Sequence, residues 1–320
     1  MTAQPRTLKP VALRRHEAGR TLIELLIALV LSLLIIGAVG SLYMMSSNAS
    51  RTSTQLSSAE ERGRLAMFFL GEPIALAGYG NVIGVNETRY ENVAMTDPHI
   101  RVCANGRFTD PLNGNFTCVA NAAPGDQLYV SYQADSLPGL APQGLMQDCL
   151  GQNPPNINGV PTVRNIYSVE LTGGGALELG CTGNGGGARQ TLVRDVEDFK
   201  VFFAFDRRNY ELGRTTAQYN PRVVGSTLMT AAQIEALPGT NLPASSLANP
   251  WNHVIAVYVC VQLRTPEAGT TPDGVSRFRP CPQTEVEAAT GTAEVAINDG
   301  VARRTFTQVF TVRARTQMAS

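Results

Sequence analysis

The hydrophobic pattern changes character along the chain. From Leu25 to Ser50 there is no charged residue, and from Leu25 to Met45 only Ser32 and Ser41 interrupt an apolar run. A bilayer core takes roughly 20 apolar residues in helix, so this run is long enough to cross one. Beyond it, Ser46 to Thr54 is polar. Leu56, Ala59, Gly63, Ala66 and Leu70 then recur at three- and four-residue steps, with Leu65 and Phe69 widening the stripe. That period predicts an amphipathic helix. A helix from Thr21 to about Leu70 would be roughly 75 Å long at 1.5 Å per residue. Its first half is apolar all round, which suits lipid or a bundle of like helices. Its second half is one-sided and suits a globular domain laid against it. Gly37 and Gly40 read as small residues tolerated in a membrane helix. Gly71 and Pro73 are expected to disturb the helix, with one further turn over Ile74–Ala77 before Gly78 or Gly80 stops it.

From residue 81 the pattern becomes short apolar runs between turn signals, which predicts a β-rich region. Gln127–Tyr132 alternates as a strand. Val163–Leu171 and Ala176–Leu179 form a pair joined by Gly173–Gly175, and Gly183–Gly187 is a second glycine-rich turn. Pro138–Pro161 reads as a loop pinned by Cys149. Phe199, Val201, Phe203 and Phe205 alternate with Lys200, Phe202 and Ala204, giving a strand with at least one core face. Thr230-Ala231-Ala232-Gln233 is a capping box opening a short helix that ends at Leu237-Pro238. Ile255, Val257, Val259, Val261 and Leu263 line one face of the strongest strand. Phe306, Phe310, Val312 and Ala314 share one face of a final strand, with Thr307, Thr311, Arg313 and Arg315 opposite. No internal repeat is evident.

Composition narrows the class. At 320 residues, with 43% hydrophobic and only 16% charged positions, the chain affords a folded core and loops rich in Gly, Thr, Ser and Asn. Formal net charge is zero, which does not suit a nucleic-acid binder. Cysteines stand at 103, 118, 149, 181, 260 and 281, all after the apolar span and none at Cys-x-x-Cys spacing. An even number beyond a membrane anchor suits disulfides in an oxidising compartment. Sequential pairing (Cys103–Cys118, Cys149–Cys181, Cys260–Cys281) is the expectation adopted among the connectivities six cysteines allow. Apart from Lys9 and Lys200, every basic residue is arginine.

The chemistry at the start of the run sets it apart from a plain anchor. A leader with Arg6, Lys9, Arg14 and Arg15 against Glu17 ends in Gly19, and Glu24 then stands at the mouth of the apolar run. The basic leader places the N-terminus on the cytoplasmic side. A carboxylate at membrane depth is costly and takes a partner. Cleavage at Gly19 would create an α-amine at Arg20, four residues before Glu24. An amine of one subunit and Glu24 of its neighbour neutralise each other and fix axial register. The order Gly19-Arg20-Thr21-Leu22-Ile23-Glu24 resembles the cleavage and methylation motif of the type IV prepilins, with Glu24 at the fifth mature position. The departure is Arg20, where that family usually has Phe. Cleavage depends mainly on the glycine and is still expected.

Later segments add to the resemblance. Ala77-Gly78-Tyr79 at a helix end, Val193–Val201, Trp251 with Val254–Val259, and Arg303–Arg315 are similar to stretches of the PilW family of minor pilins. Residues 81–190 carry no such likeness. The resemblance implies an α+β, pilin-like fold. A leader (1–19) precedes a long helix (20–72) whose first half is transmembrane, packed on a β-rich, disulfide-bearing periplasmic domain (73–320). It implies a non-catalytic minor pilin in pilus assembly or priming, held in the inner membrane before entering the fibre. Its partners would be other minor pilins, the major pilin, prepilin peptidase and inner-membrane lipid, with no nucleic acid and no cofactor. A minor pseudopilin of type II secretion shares the leader and Glu24, but that class is usually shorter. A membrane-anchored periplasmic binding protein or enzyme would have no use for Glu24.

No catalytic constellation is legible. His16 falls in the leader, and His99 and His253 have no second ligand at zinc spacing, so no metal site is expected. His253, beside Trp251, reads as a structural histidine. There is no Gly-x-Ser-x-Gly and no phosphate-binding loop. Asp195, Glu197 and Asp198 alternate between strand faces and read as a solvated edge rather than an acid/base pair or calcium site.

Overall fold

The structure is a computed structural model. It describes residues 21–80, 84–86, 89–91, 98–120, 124–134, 147–173, 175–207, 210–211, 226–242, 248–271 and 273–312. Helix α1 (Leu22–Leu76) is followed by β1 (Gly84–Asn86), β2 (Arg89–Glu91), β3 (Ile100–Cys103), β4 (Gly106–Asp110) and β5 (Asn115–Ala120). Then come β6 (Gln127–Gln133), β7 (Asn156–Ile157), β8 (Val160–Leu171), β9 (Leu177–Gly183), β10 (Gln190–Arg194), β11 (Val196–Asp206) and β12 (Ser226–Met229). The last part holds α2 (Ala231–Glu235), β13 (Val254–Arg264), β14 (Ser276–Phe278), α3 (Glu285–Thr290), β15 (Val295–Ile297) and β16 (Arg303–Thr311). The class is α+β, a long N-terminal helix followed by a β-rich domain. By contact the chain divides into residues 1–51 and 52–320.

In the first unit, the described part of α1 is exposed on every side. Leu25, Leu29, Ile36 and Met45 are as open to solvent as their neighbours around the helix. Among the described residues this is a helix long and apolar enough to cross a membrane, with a mean hydropathy of 2.9 over its most apolar window.

The second unit is built from antiparallel sheets. One has the order β10-β9-β8-β6-β3, with β7 hairpinned onto β8. The other has the order β12-β11-β13-β16. Small two-stranded pairs, β4–β5 and β14–β15, cover parts of their faces. The second half of α1 contributes Ala66, Met67, Leu70 and Ile74 to a core shared with Leu128, Val130, Tyr167, Phe199, Phe203, Val257 and Val261. A smaller cluster of Cys103, Phe108, Tyr129 and Ile166 lies under the β4–β5 hairpin.

Several local expectations change in this setting. The buried stripe of α1 is Ala59, Gly63, Ala66, Met67, Leu70 and Ile74. Leu65 and Phe69, expected to widen it, face outward at 40% and 36% exposure. Gly71 and Pro73 do not end the helix. Burying Leu70, Ile74 and Ala77 completely outweighs the backbone donor that Pro73 lacks. The stop comes at Gly78, where φ is +76° and the N–H turns to Ser131 O at 2.9 Å. That backbone favours glycine, and a Cβ there would also press on His99.

In β13, Val257, Val259, Val261 and Leu263 share the core face as the alternation implies. Ile255 does not complete that row. A bulge pairs Ala204 with Ala256 but Phe205 with Val254, so Val254 is buried and Ile255 only half-buried. The strand β11 is covered on both faces, since Lys200 and Phe202 are as enclosed as the core row. The Gln233 capping box forms as read, with Thr230 and Gln233 bonding reciprocally. Part of the expected 138–161 loop lies outside the described residues, as do Arg313, Ala314 and Arg315. Its end folds into β7 and the start of β8.

Candidate functional site

Glu24 stands in the first turn of α1, exposed. Its N–H points to the carbonyl of Thr21 at 3.1 Å and to the Thr21 hydroxyl at 3.4 Å. Thr21-x-x-Glu24 is thus also a helix-start spacing, Ser/Thr at the cap and Glu at the third position. Reading Glu24 only as a membrane carboxylate overlooks this. A negative side chain there also complements the helix dipole. Gly19 and Arg20 lie outside the described residues. Along the apolar run the hydroxyl of Ser41 donates to Ala38 O at 2.8 Å, and Ser32 donates to Ala28 O. Both interruptions are therefore satisfied within the helix, as lipid burial requires.

The cysteines form Cys103–Cys118, Cys149–Cys181 and Cys260–Cys281, with Cα separations of 5.4, 6.3 and 5.7 Å. The first ties β3 to β5. The second ties the 147–155 loop to β9. The third holds the segment after β14 against β13, over the face that carries Lys200.

The acidic trio is not a solvated edge. Each member is partly enclosed and engages a different cation or amide. Asp195, at φ +60°, pairs with Arg62 of α1, whose guanidinium also reaches Arg194 O. Glu197 accepts a two-pronged bond from Arg303, at 2.6 Å from Nε and 2.9 Å from Nη2. Asp299 accepts from the same guanidinium at 2.6 Å. These carboxylates, Glu197 first, hold the Arg303 guanidinium above its usual range. Asp198 accepts from Phe199 N and from Gln283 Nε2. Alternation along β11 predicts that the three diverge. It does not reveal the partners, which come from α1, β16 and the 281–284 segment, all remote in sequence.

Arg101 lies over the ring of Trp251, 4.4 Å from its centroid. Burial pushes this guanidinium down to about 10, with Glu235 opposing the shift. Trp251 Nε1 donates to Glu235 Oε1 at 2.9 Å. His253 is buried against the rings of Phe205 and Tyr210, and His99 sits under Gly78. His16 lies outside the described residues. Among the described residues no three His, Cys, Asp or Glu side chains gather as a metal site would require.

A further polar cluster escapes sequence inspection because its members come from distant segments. Lys200 is buried, and its ammonium contacts Asn105 Oδ1 in the turn between β3 and β4. Asp126 Oδ1 lies 3.8 Å from Lys200 Nζ, and Asp198 Oδ1 lies 3.9 Å away. Asp126 also accepts from Asn105 N and Val201 N, both at 2.9 Å. Burial raises both carboxyls above the usual carboxylate range, against the pull of Lys200.

Along the flank of α1, a groove of about 770 Å³ runs between Arg64, Phe68, Gly71 and Ala75 on the helix and Thr307, Val309 and Thr311 on β16. β16 is the edge strand of its sheet, and Phe68 and Val309 are exposed.

Fold and site thus define a disulfide-bonded α+β protein, with an apolar first half to its long helix and a carboxylate at the helix start. No protein-family model and no curated protein matches the chain. Among solved structures it is similar to a type IV-like pilin from Thermus thermophilus. That match has 15% identity and a TM-score of 0.37, over 80% of this chain and 96% of that one.

Proposed function

We propose that the chain is a structural subunit of a type IV pilus-type fibre, a PilW-like minor pilin acting in assembly or priming. A prepilin peptidase removes residues 1–19 by cutting after Gly19. The apolar half of α1 holds the subunit in the inner membrane, with the β-rich domain in the periplasm. In the fibre that half packs among the same segments of other minor pilins and the major pilin. The observation that carries this reading is the sequence order Gly19-x-Thr21-Leu22-Ile23-Glu24, whose Thr21–Glu24 part opens α1, followed by a helix segment exposed and apolar all round. The pairing of Glu24 with the new amine of Arg20 on a neighbour neutralises both charges in a low-dielectric bundle.

The test is Glu24→Val in cells that assemble the fibre. The variant is expected to be cleaved and membrane-held yet scarce in sheared fibres. Normal incorporation would refute the pairing. Co-purification with pilus components, rather than with a secretion complex, separates the pilin from the pseudopilin assignment.

A further inference from the structure

We propose that Lys200 and Asn105 are the two ends of an intramolecular isopeptide bond, which forms in the folded domain with Asp126 as the proton carrier. The inference does not depend on the pilus reading.

The geometry supplies each part such a bond needs. Lys200 Nζ is the nucleophile, and it already contacts the side-chain carbonyl oxygen of Asn105. The electrophilic carbon, Cγ, is bonded to that oxygen, so the contact holds Nζ beside the carbon it would attack once the ammonium has lost a proton. Asp126 reaches both partners. It accepts the backbone N–H of Asn105 at 2.9 Å and lies 3.8 Å from Nζ. Both Lys200 and Asp126 are almost wholly excluded from solvent, with side-chain exposures of 6% and 5%.

Burial of this kind favours the acid form of Asp126. An ammonium has three donors, and among the described residues the acceptor within hydrogen-bond distance is the Asn105 amide oxygen. The carboxylates at 3.8 and 3.9 Å stand beyond hydrogen-bond distance. Their oxygens are engaged by Asn105 N, Val201 N, Phe199 N and Gln283. Converting the ammonium to an amide nitrogen, with its proton left on Asp126, removes a buried ion pair. The residue type points the same way. Beyond Lys9 the chain uses arginine at every other basic position. The exception is this site, where an amine can act as a nucleophile.

The step balances without a further reactant. Lys200 passes one ammonium proton to the Asp126 carboxylate and becomes an amine. Nζ attacks Asn105 Cγ, and a C–N bond forms. The second proton leaves Nζ for the amide nitrogen, Nδ2, directly or through the Asp126 carboxyl. The Cγ–Nδ2 bond breaks and Nδ2 departs as ammonia. One proton stays on Asp126, whose enclosure favours the acid form. Nothing is oxidised or reduced. The product joins the β3–β4 turn to β11, and so ties one large sheet to the other across 95 residues of sequence.

The test uses the full-length chain, extracted from membranes in detergent, reduced, digested and mapped by mass spectrometry. The expected result is a branched peptide holding Asn105 and Lys200, lighter by one ammonia than the two linear peptides, with no tryptic cut after Lys200. Asn105→Gly removes the electrophile at an exposed turn position with φ +46°, where glycine is unstrained. It should yield linear peptides of full mass, as should Lys200→Arg. Asp126→Asn should slow or abolish the branch, but it also alters a buried acceptor, so Asn105→Gly serves as the folded control. Linear wild-type peptides of full mass would overturn the proposal. So would an Asn105 peptide deamidated to aspartate. Loss of ammonia confined to a linear, hydroxylamine-sensitive Asn105-Gly106 peptide would mark a cyclic imide and would overturn it equally.

Discussion

Gly63 of α1 and Phe306 of β16 fit only because one of them has no side chain. A Cβ on Gly63 would come within 2.4 Å of three atoms of the Phe306 ring. Two helical turns on, Gly71 receives Phe310 the same way, and a Cβ there would come within 2.7 Å of the ring. Eight helical residues advance about 12 Å, and four strand residues about 13 Å, so the two contacts keep step along parallel axes. Glycine in a helix costs about 1 kcal/mol relative to alanine, and here the cost is offset by two aromatic rings laid against the helix backbone.

Gly63→Leu is therefore expected to destabilise the domain by about 1–3 kcal/mol, the usual range for overpacking. The double variant with Phe306→Ala should recover part of that loss. Gly37→Ala and Gly40→Ala, which meet nothing within 4 Å, should cost nothing. Urea midpoints in detergent distinguish the sites.

Arg303 holds Glu197 with two parallel hydrogen bonds and lies over the ring of Phe278, 5.2 Å from its centroid. A lysine keeps the charge but cannot reproduce the fork. Arg303→Lys should lower stability by about 1–2 kcal/mol. A double-mutant cycle with Glu197→Gln should show coupling between the two positions.

Replacing Cys260 and Cys281 by serine opens a loop of 21 residues and frees the segment covering β11. The expected loss is about 2–4 kcal/mol. Gln283, which contacts Asp198 from that segment, should lose hydrogen-exchange protection together with its neighbours.

Burial raises the Asp126 and Asp198 carboxyls in the folded state. The folded chain therefore takes up protons relative to the unfolded chain. That contribution is full below the ordinary carboxylate value and is lost as pH climbs through the folded values. Asp198→Asn removes one such group while leaving an oxygen for Phe199 N. Its unfolding midpoint should fall less steeply than that of the wild type as pH rises above the ordinary carboxylate value.

The elements that repeat a short period were legible in the sequence. The apolar run, the β11 and β13 alternations and the Thr230 capping box each depend on neighbours within a few residues. Sequential cysteine pairing matches the bonds found between adjacent strands and loops. What was not legible depends on distant partners. Gly71 looks like a helix breaker until Phe310 occupies its place. Leu65 and Phe69 look like core until Met67 and Ile74 fix the rotation of α1. Asp195, Glu197 and Asp198 look solvated because Arg62, Arg303 and Gln283 come from remote segments. The contact of Lys200 with Asn105 has no signature in either local sequence.

The central claim is that the chain is processed as a prepilin and not held as a static anchor. The mature N-terminus of membrane-extracted protein, read by N-terminal peptide mapping, tests it directly. The account predicts a chain beginning at Arg20, with or without a methyl group. A chain that keeps its residues before Gly19 in cells with active prepilin peptidase would contradict it and would make Arg20 a blocking residue.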